Sequence, residues 1–410
     1  MSNTLFAIII GIIILNFILE RILDYLNTLK WSNILPDDLK GIYNEKKYAK
    51  SQDYEKTNHR FSQIVDSISF IAILLMLCFY GFAFLDEYIR SITQNPILMA
   101  LLFFGILGLA SDILSTPFSI YSVFVIEERF GFNTSNIKTF IIDKIKGLLL
   151  GAIIGGGLLS LIVWIYSTTG EWFWLIAWGA ISLFMIFMTM FYSSLIVPLF
   201  NKQSLLEVGE LRTAIEEFAK KVDFKLDNIY KIDGSKRSKK ANAYFSGLGP
   251  KKRVVLYDTL IENHTTEELV AVLAHEIGHY KKKHTLFGMI ISIAQTGIML
   301  FVLSLFIGNP VLSQAIGATK GSFHMGVLAF GLLYSPLSLI LGLLMNYISR
   351  KNEYQADRFA GENYSNKLLQ QALKKLSVDN LSNLHPHQVY VFFYYSHPTL
   401  IQRLKALEKF

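Results

Sequence analysis

Long apolar runs constrain this chain more than any other feature of its sequence. A helix of about 20 apolar residues can cross the hydrocarbon core of a bilayer, because its backbone groups satisfy one another within the helix. Seven runs approach or exceed that length, at 5–19, 61–85, 97–126, 148–166, 172–200, 286–307 and 325–348. Only 17% of the residues are charged, against about 25% in soluble domains. We therefore predict an all-α multi-pass membrane protein with seven transmembrane helices, which disfavours an ordinary soluble enzyme and a disordered chain.

The apolar runs divide the chain into four parts. Residues 1–200 are predicted to hold five transmembrane helices with cytosolic loops, and residues 286–348 are predicted to hold helices six and seven. A polar block, residues 201–285, lies between these parts, and a polar tail, residues 349–410, follows them. Chemistry that needs water and polar side chains is therefore expected in the block and the tail.

The distribution of basic residues predicts the orientation of the chain. If the seven spans alternate in direction, the N-terminus and the loops at 86–96, 169–171 and 308–324 share one side. Of the 39 lysines and arginines, only Arg90 and Lys320 fall on that side. Cytosolic loops carry the excess of basic residues, so we place the N-terminus outside and the block and the C-terminus in the cytosol. A prokaryotic source would make the membrane the cell inner membrane.

Composition excludes two further kinds of site. The net charge of +7 is explained by this topology and by contact with anionic lipid headgroups. A nucleic-acid partner is not expected, because the basic and aromatic residues form no recognition module. The chain has one cysteine, Cys78, so neither an internal disulfide nor a cysteine metal cluster can form. Any metal site must use His, Asp or Glu.

The polar block contains the pattern H-E-x-x-H at 275–279. On a helix, His275 and His279 lie on one face, where two imidazoles can share one zinc ion. Glu276 can reach the zinc-activated water and act as general base, because zinc lowers the pKa of that water to about 7. Thr265 and Glu268 have the spacing of a capping box, which predicts where this helix begins.

A catalytic zinc needs a third protein ligand and an open fourth position. The best candidate is Glu353, in a segment that continues from the seventh span without a helix breaker. Asp357 lies four residues later, so one carboxylate can bind zinc while the other orients a ligand imidazole through a hydrogen bond. The alternative is a solvated charged face beside Arg350 and Arg358.

The block also predicts a small β-sheet. Residues 253–257 have the composition of a strand, and residues 228–232 and 241–245 are candidate neighbours. An exposed edge of this sheet beside the zinc helix could bind an extended peptide by strand addition. The alternative is an ordinary sheet packed on the helix.

Several motifs together resemble one known family. They are H-E-I-G-H at 275–279, N-E-Y-Q-A-D at 352–357, N-A-Y-F at 242–245, Y-S-H-P at 395–398, V-I-E-E-R-F-G-F at 125–132 and V-P-L-F at 197–200. As a set they are similar to the type I CAAX prenyl proteases, which are integral-membrane zinc metalloendopeptidases. The resemblance covers about residues 116–405. In the stretch before N-A-Y-F the chain departs from the Ser/His-rich sequence expected of the family and reads S-K-K-A at 238–241.

The resemblance implies a fold and a set of roles. The fold would be a ring of seven transmembrane helices around a water-filled chamber, with one zinc ion near its cytosolic end. Glu353 would be the third zinc ligand and Asp357 its hydrogen-bonding partner, while His397 would stabilise the developing oxyanion. Asn242 and Ala243 would hold the backbone of a peptide or protein substrate. The implied reaction is proteolysis beside a C-terminal prenylated cysteine.

Some assignments stay open at this point. Arg403, six residues after His397, is a candidate contact for a substrate carboxylate, the alternative being a surface arginine. His284 would be rotated about 140° from His279 on a continuous helix, so we do not expect it to bind zinc. The alternative function is a membrane quality-control protease of the heat-shock type with the same zinc chemistry. Compact loops indicate a prokaryotic source, in which a misfolded or membrane-associated protein would be the natural substrate.

Overall fold

The protein is described by a computed structural model that covers residues 2–226, 228–247 and 252–409. Most of these residues are helical. The helices of the first half are α1 (Ser2–Thr28), α2 (Glu45–Cys78), α3 (Gly81–Ile92), α4 (Pro96–Tyr121), α5 (Glu128–Phe130), α6 (Ile137–Leu150), α7 (Gly156–Thr169), α8 (Phe173–Leu195) and α9 (Val197–Phe200). Those of the second half are α10 (Glu210–Lys221), α11 (Asp258–Asn263), α12 (Thr266–Lys281), α13 (His284–Phe306), α14 (Pro310–Ala315), α15 (Phe323–Ala360), α16 (Asn366–Asp379), α17 (Gln388–Tyr394) and α18 (Leu400–Leu407).

Six helical segments among the described residues are long and apolar enough to cross a membrane. They are Asn3–Thr28, Glu45–Cys78, Pro96–Phe130, Ile137–Phe200, His284–Phe306 and Phe323–Asp379. The fourth segment contains two of the predicted spans, separated by a turn at Gly170, where φ is +56°. The multi-pass membrane architecture is confirmed, and the count of seven crossings stays a prediction.

The second span ends earlier than its apolar composition predicts. We expected it to run to residue 85, but α2 ends at Cys78 and Tyr80 adopts a left-handed conformation with φ +56°. This break separates α2 from α3, which starts at Gly81. The predicted end at residue 85 is therefore wrong. Both helices are apolar, so the composition of the sequence does not reveal the break between them.

Few residues in the apolar parts of the transmembrane helices are fully buried. Within the apolar window of each segment, only 6% to 17% of the residues are buried, which leaves most of their apolar surface for lipid or for an enclosed space. Two ion pairs join charged residues of these segments, which lowers the cost of placing a charge in a bilayer. Arg21 Nη2 lies 2.8 Å from Asp66 Oδ2, and Lys144 Nζ lies 2.9 Å from Asp112 Oδ1.

A small mixed sheet forms in the polar block. Its described strands are β1 (Gln203–Leu205), β2 (Ile229–Ile232), β3 (Ala243–Ser246) and β4 (Arg253–Tyr257), in the spatial order β1-β2-β4-β3. Strands β2 and β4 are parallel, and β3 pairs antiparallel with β4. The strand predicted at 253–257 is confirmed, and β1 was not predicted. Because β3 lies at one edge of this sheet, one side of its backbone pairs with none of the described strands.

Helices α12 and α15 pack closely in the cytosolic part. Helix α15 has 38 residues and runs beyond its apolar portion, so it carries Glu353 and Asp357 to the side of α12. A Cβ atom at Gly278 would lie 3.1 Å from the Cα and carbonyl oxygen of Ala356. The absence of a side chain at Gly278 therefore lets the backbone of α15 approach α12.

Candidate active site

Helix α12 begins as the sequence predicts. The Thr265 hydroxyl accepts a hydrogen bond from the backbone of Glu268, and the Glu268 carboxylate accepts one from the backbone of Thr265. Leu273 and Ile277, on the inner face, are fully buried in the same apolar cluster as Val254 of β4. The opposite face carries His275 and His279, so burial of the apolar side turns both imidazoles toward α15.

Three side chains from α12 and α15 converge on one point. His275 Nε2 and His279 Nε2 lie 3.1 Å apart. Glu353 Oε2 lies 3.4 Å from the first of these atoms, and Glu353 Oε1 lies 3.2 Å from the second. Glu353 Oε2 is buried and receives no hydrogen bond from the described residues.

This arrangement fits a metal ion. Donor atoms bound at about 2.0–2.1 Å from a tetrahedral zinc are about 3.3 Å from one another, close to the separations of these three groups. One donor atom from each of His275, His279 and Glu353 lies within 4.8 Å of the other two. A buried carboxylate oxygen without a hydrogen bond is costly unless another group binds it. The donor set is therefore compatible with a divalent cation that prefers nitrogen and oxygen ligands.

Asp357 and Arg403 hold the outer side of His275. His275 Nδ1 lies 2.9 Å from Asp357 Oδ1, and the Arg403 guanidinium donates to both oxygens of that carboxylate at 2.6 and 2.8 Å. Burial alone would lower the pKa of His275, but Asp357 and Glu353 outweigh it and raise the pKa to about 9. An imidazole binds a metal in its neutral form, so a metal and a proton would compete for His275.

Arg403 is a buried member of this cluster. Its side chain is 12% exposed, and Nη1 lies 3.6 Å from Glu353 Oε2. Burial would lower the pKa of Arg403, but the neighbouring Asp357 and Glu353 raise it. The guanidinium is thus occupied by the carboxylates that surround the two imidazoles, although it also lines the cleft in front of them.

His279 is held on its outer side by His284. The two Nδ1 atoms lie 3.0 Å apart, and His284 Nε2 lies 3.0 Å from Gln355 Oε1. The expectation that His284 points away is wrong, because α12 ends at Lys281 and Lys283 is left-handed with φ +60°. This break folds His284 back toward the preceding turn. The only available signal was the run of three lysines before His284, which favours a helix end.

A cleft of about 620 Å³ opens in front of the three donor groups. Of the predicted site residues, eight line this cleft, namely Asn242, Ala243, His275, Glu276, His279, Glu353, His397 and Arg403. Asp357 lies behind His275 and is almost fully buried. The structure therefore brings together residues from β3, α12, α15 and the C-terminal tail, which are distant in sequence.

His397 reaches the cleft from the segment between α17 and α18. Its Nε2 lies 3.4 Å from Glu353 Oε1, and the side chain is 61% exposed. Arg350 of α15 donates to the Tyr395 carbonyl at 2.6 Å, and Asn346 donates to the Phe393 carbonyl at 2.7 Å. The sequence did not identify these two anchors, which tie the His397 segment to the helix that carries Glu353.

The edge strand β3 forms another wall of the cleft. It is preceded by Lys240, whose Nζ lies 3.0 Å from Glu127 Oε2 and over the rings of Tyr54 and Phe132. Burial would lower the pKa of Lys240, but its contacts with Tyr54 and Glu127 raise it. The lysine within the unusual S-K-K-A stretch therefore anchors the entry to β3 against the transmembrane part.

Gly278 provides a test of how α12 and α15 set the site. In a Gly278→Val variant the added atoms would meet the Ala356 backbone at 3.1 Å, and overpacking of this kind costs about 1–3 kcal/mol. Because Glu353 is on the same helix as Ala356, we expect weaker metal binding and a lower unfolding temperature. The control variant is Gly342→Val. Gly342 is on α15, like Glu353 and Ala356, and a Cβ atom added there meets no atom within 4 Å. If Gly278→Val bound the metal as tightly as Gly342→Val, the contact between Gly278 and Ala356 would not determine the geometry of the site.

Comparison with known proteins covers nearly the whole chain. A family model described as the N-terminal region of CAAX prenyl protease, with five membrane helices, matches residues 24–202, and the model of peptidase family M48 matches residues 206–410. The probable CAAX prenyl protease 1 of Schizosaccharomyces pombe is 38% identical, with 89% of this chain and 80% of that protein covered. The CAAX prenyl protease 1 homolog of Arabidopsis thaliana is 34% identical, with 98% and 96% covered.

A solved structure agrees with these matches. The crystal structure of Ste24p from S. mikatae superimposes with a TM-score of 0.93 at 33% identity, and it covers 98% of this chain and 99% of that one. The family resemblance, the membrane architecture and the protease activity are thereby confirmed. The chain belongs to the CAAX prenyl protease family within peptidase family M48 and is a membrane-embedded metalloendopeptidase.

Proposed function

We propose that the metal is a single zinc ion held by His275, His279 and Glu353, and that the enzyme cleaves peptides beside a C-terminal prenylated cysteine. The observation that carries the zinc assignment is the convergence of two Nε2 atoms and one carboxylate at mutual distances of 3.1 to 3.4 Å. Bound zinc supplies Lewis-acid polarisation of the scissile carbonyl and lowers the pKa of a coordinated water. The prenylated substrate is proposed from the printed names of the relatives.

Glu276 is the proposed general base. It follows a ligand histidine, is half-buried, and lines the same cleft as the three donor groups. Its carboxylate takes a proton from the attacking water as the new C–O bond forms, and gives that proton to the departing amine as the C–N bond breaks. This function needs a carboxylate, which can accept the proton and return it.

His397 is proposed to stabilise the negative charge that develops on the substrate carbonyl oxygen. Its Nε2 is on the cleft side of Glu353, and the Ser396 hydroxyl lies 2.9 Å from its Nδ1. The exposed imidazole is free to donate to a group that enters the cleft. The contacts from α15 to the His397 segment fix its distance from the proposed ligand Glu353.

Asn242 and Ala243 are proposed to hold the substrate backbone. Among the described strands, β3 pairs with β4 alone, and Asn242 and Ala243 line the cleft beside His275. An extended peptide can pair with such an edge through main-chain hydrogen bonds, independently of its sequence. Arg403 contacts both oxygens of Asp357, which in turn contacts the proposed ligand His275. This contact favours a role for Arg403 in positioning His275 rather than in binding a substrate carboxylate.

The proposed orientation places the cleft and the C-terminus in the cytosol and the N-terminus outside. It is supported by the position of the site, which is built from the predicted cytosolic block and tail together with the end of α15. The excess of Lys and Arg in these regions is typical of cytosolic segments. With this orientation, the cleft opens on the side of the membrane from which the C-terminal cysteine of a cytosolic protein would approach.

A peptide assay on the full-length protein in detergent tests the substrate and the metal together. The probes are a peptide with a farnesylated cysteine near its C-terminus and the same peptide without the lipid. We expect faster cleavage of the farnesylated peptide, loss of cleavage with a chelator, and recovery when Zn²⁺ is added. Equal cleavage of both peptides would contradict the prenyl specificity and favour the quality-control function. Cleavage that survives complete metal removal would contradict the zinc mechanism.

A further inference from the structure

The proposed ligand His279 is supported by a third histidine. His284 is the first residue of α13, is 8% exposed, and packs edge-on against His279 with the two rings inclined at 76°. Their Nδ1 atoms are 3.0 Å apart. Because a hydrogen bond needs one donor and one acceptor, only one of these two nitrogens can carry the hydrogen.

Gln355 decides which nitrogen carries it. Its side-chain oxygen, Oε1, lies 3.0 Å from His284 Nε2, and an amide oxygen can only accept a hydrogen bond. His284 Nε2 is therefore the protonated nitrogen of a neutral ring, and His284 Nδ1 is an acceptor. It follows that His279 Nδ1 donates to His284, so His279 Nε2 has a free lone pair.

The lone pair of His279 Nε2 points toward the other two proposed metal ligands. His279 Nε2 faces His275 Nε2 and Glu353 Oε1, at 3.1 and 3.2 Å. With the opposite hydrogen-bond direction, His279 Nε2 would carry a hydrogen and could not act as a ligand. His275 has the corresponding arrangement, in which the Asp357 carboxylate accepts a hydrogen bond from His275 Nδ1. Both imidazoles are thus held through the ring nitrogen that points away from the site.

We propose that His284 is a positioning residue that, with Gln355, holds His279 in the tautomer and ring orientation that bind zinc. The inference rests on the zinc site proposed above. Partners of this kind orient metal ligands and raise their basicity, and their loss typically costs 10–100-fold in metal affinity or activity. His284 itself is not a ligand, because its Nδ1 contacts the outer nitrogen of His279.

Two substitutions separate the proposed function from simple packing. His284→Leu fills space but offers no acceptor to His279 Nδ1. His284→Asn loses the contact with Gln355 but keeps an acceptor, because Asn Oδ1 is the same number of bonds from the backbone as His Nδ1. We expect about 10–100-fold weaker zinc binding for His284→Leu and recovery of most of that loss in His284→Asn.

The measurement is the dissociation constant for Zn²⁺, obtained by competition with a chelator of known affinity on the full-length protein in detergent. His264→Leu is the matched control, since His264 is also 8% exposed and its Nδ1 pairs with the Leu260 carbonyl of the preceding helix. It should bind zinc as the natural chain does. If His284→Leu does not fold, Gln355→Leu serves instead, because it removes the acceptor for His284 Nε2 and should weaken zinc binding in the same direction.

Three results would overturn the inference. One is a zinc affinity of His284→Leu equal to that of the natural chain. Another is an equal loss of zinc affinity in His284→Leu and His284→Asn, which would mean that packing and not the hydrogen-bond acceptor matters. The third is an equal loss in His264→Leu. A natural chain that binds no Zn²⁺ would instead contradict the proposed zinc site itself, so failure of the inference and failure of the site give different results.

Discussion

The Glu276→Gln variant is expected to bind zinc like the natural chain and to hydrolyse peptides at least about 100-fold more slowly, since general acid–base catalysis contributes about 10²–10⁴-fold. Glutamine has nearly the same shape as glutamate but cannot take the proton from water. Zinc is retained because Glu276 is not among the three converging donor groups. The measurements are kcat on a cleavable peptide and zinc content of the same sample.

Glu267→Gln is the matched control for this experiment. Glu267 is on the same helix, in its first turn, and is exposed to solvent, so its substitution removes the same charge without touching the cleft. It should leave both kcat and zinc content unchanged. Natural turnover by Glu276→Gln would remove Glu276 from the mechanism, and loss of zinc from that variant would mean that the carboxylate acts on the metal site.

The Glu353→Gln variant is expected to lose zinc and, with it, activity. The substitution leaves two imidazoles and a neutral amide in place of two imidazoles and a buried carboxylate. We expect zinc affinity to fall by at least about 100-fold, the upper end of the effect of removing a partner that only orients a ligand. The dissociation constant for Zn²⁺ and kcat with excess Zn²⁺ are the quantities to measure.

Glu362→Gln is the control for this variant. Glu362 lies just beyond the end of α15 and is exposed, so its change should affect neither quantity. If Glu353→Gln kept the natural zinc affinity, the third ligand would have to come from another residue. The same result would leave the burial of the Glu353 carboxylate without its proposed explanation.

Local rules made helix α12 predictable. The capping box at Thr265 and the apolar positions that turn Leu273 and Ile277 inward depend only on helical spacing, and both are present in the structure. The absence of a breaker after the last span likewise predicted that Glu353 would lie on a continuation of that helix, which α15 confirms. The division of the chain into four parts stays a prediction.

Positions that depend on a chain reversal were not predictable in the same way. The rotation assigned to His284 assumed a continuous helix, whereas the left-handed Lys283 changes the direction of the chain. The early end of α2 has the same cause, at Tyr80. Both residues have side chains that rarely adopt positive φ, so their residue types do not predict a left-handed conformation.

Contacts between distant segments also required the structure. Arg403 and Asp357 are 46 residues apart, and their bidentate contact depends on how α18 packs against α15. The ion pair between Lys240 and Glu127 joins the sheet to the transmembrane part over 113 residues. Spacing along a helix cannot report such pairs, although the need to compensate buried charges makes them expected in general.

The metal content of the purified full-length protein tests the central claim most directly. Elemental analysis after removal of loosely bound ions should find one zinc per chain, and the His275→Ala and His279→Ala variants, prepared in parallel, should contain almost none. A natural chain that carries no zinc and takes up none when Zn²⁺ is supplied would contradict the account.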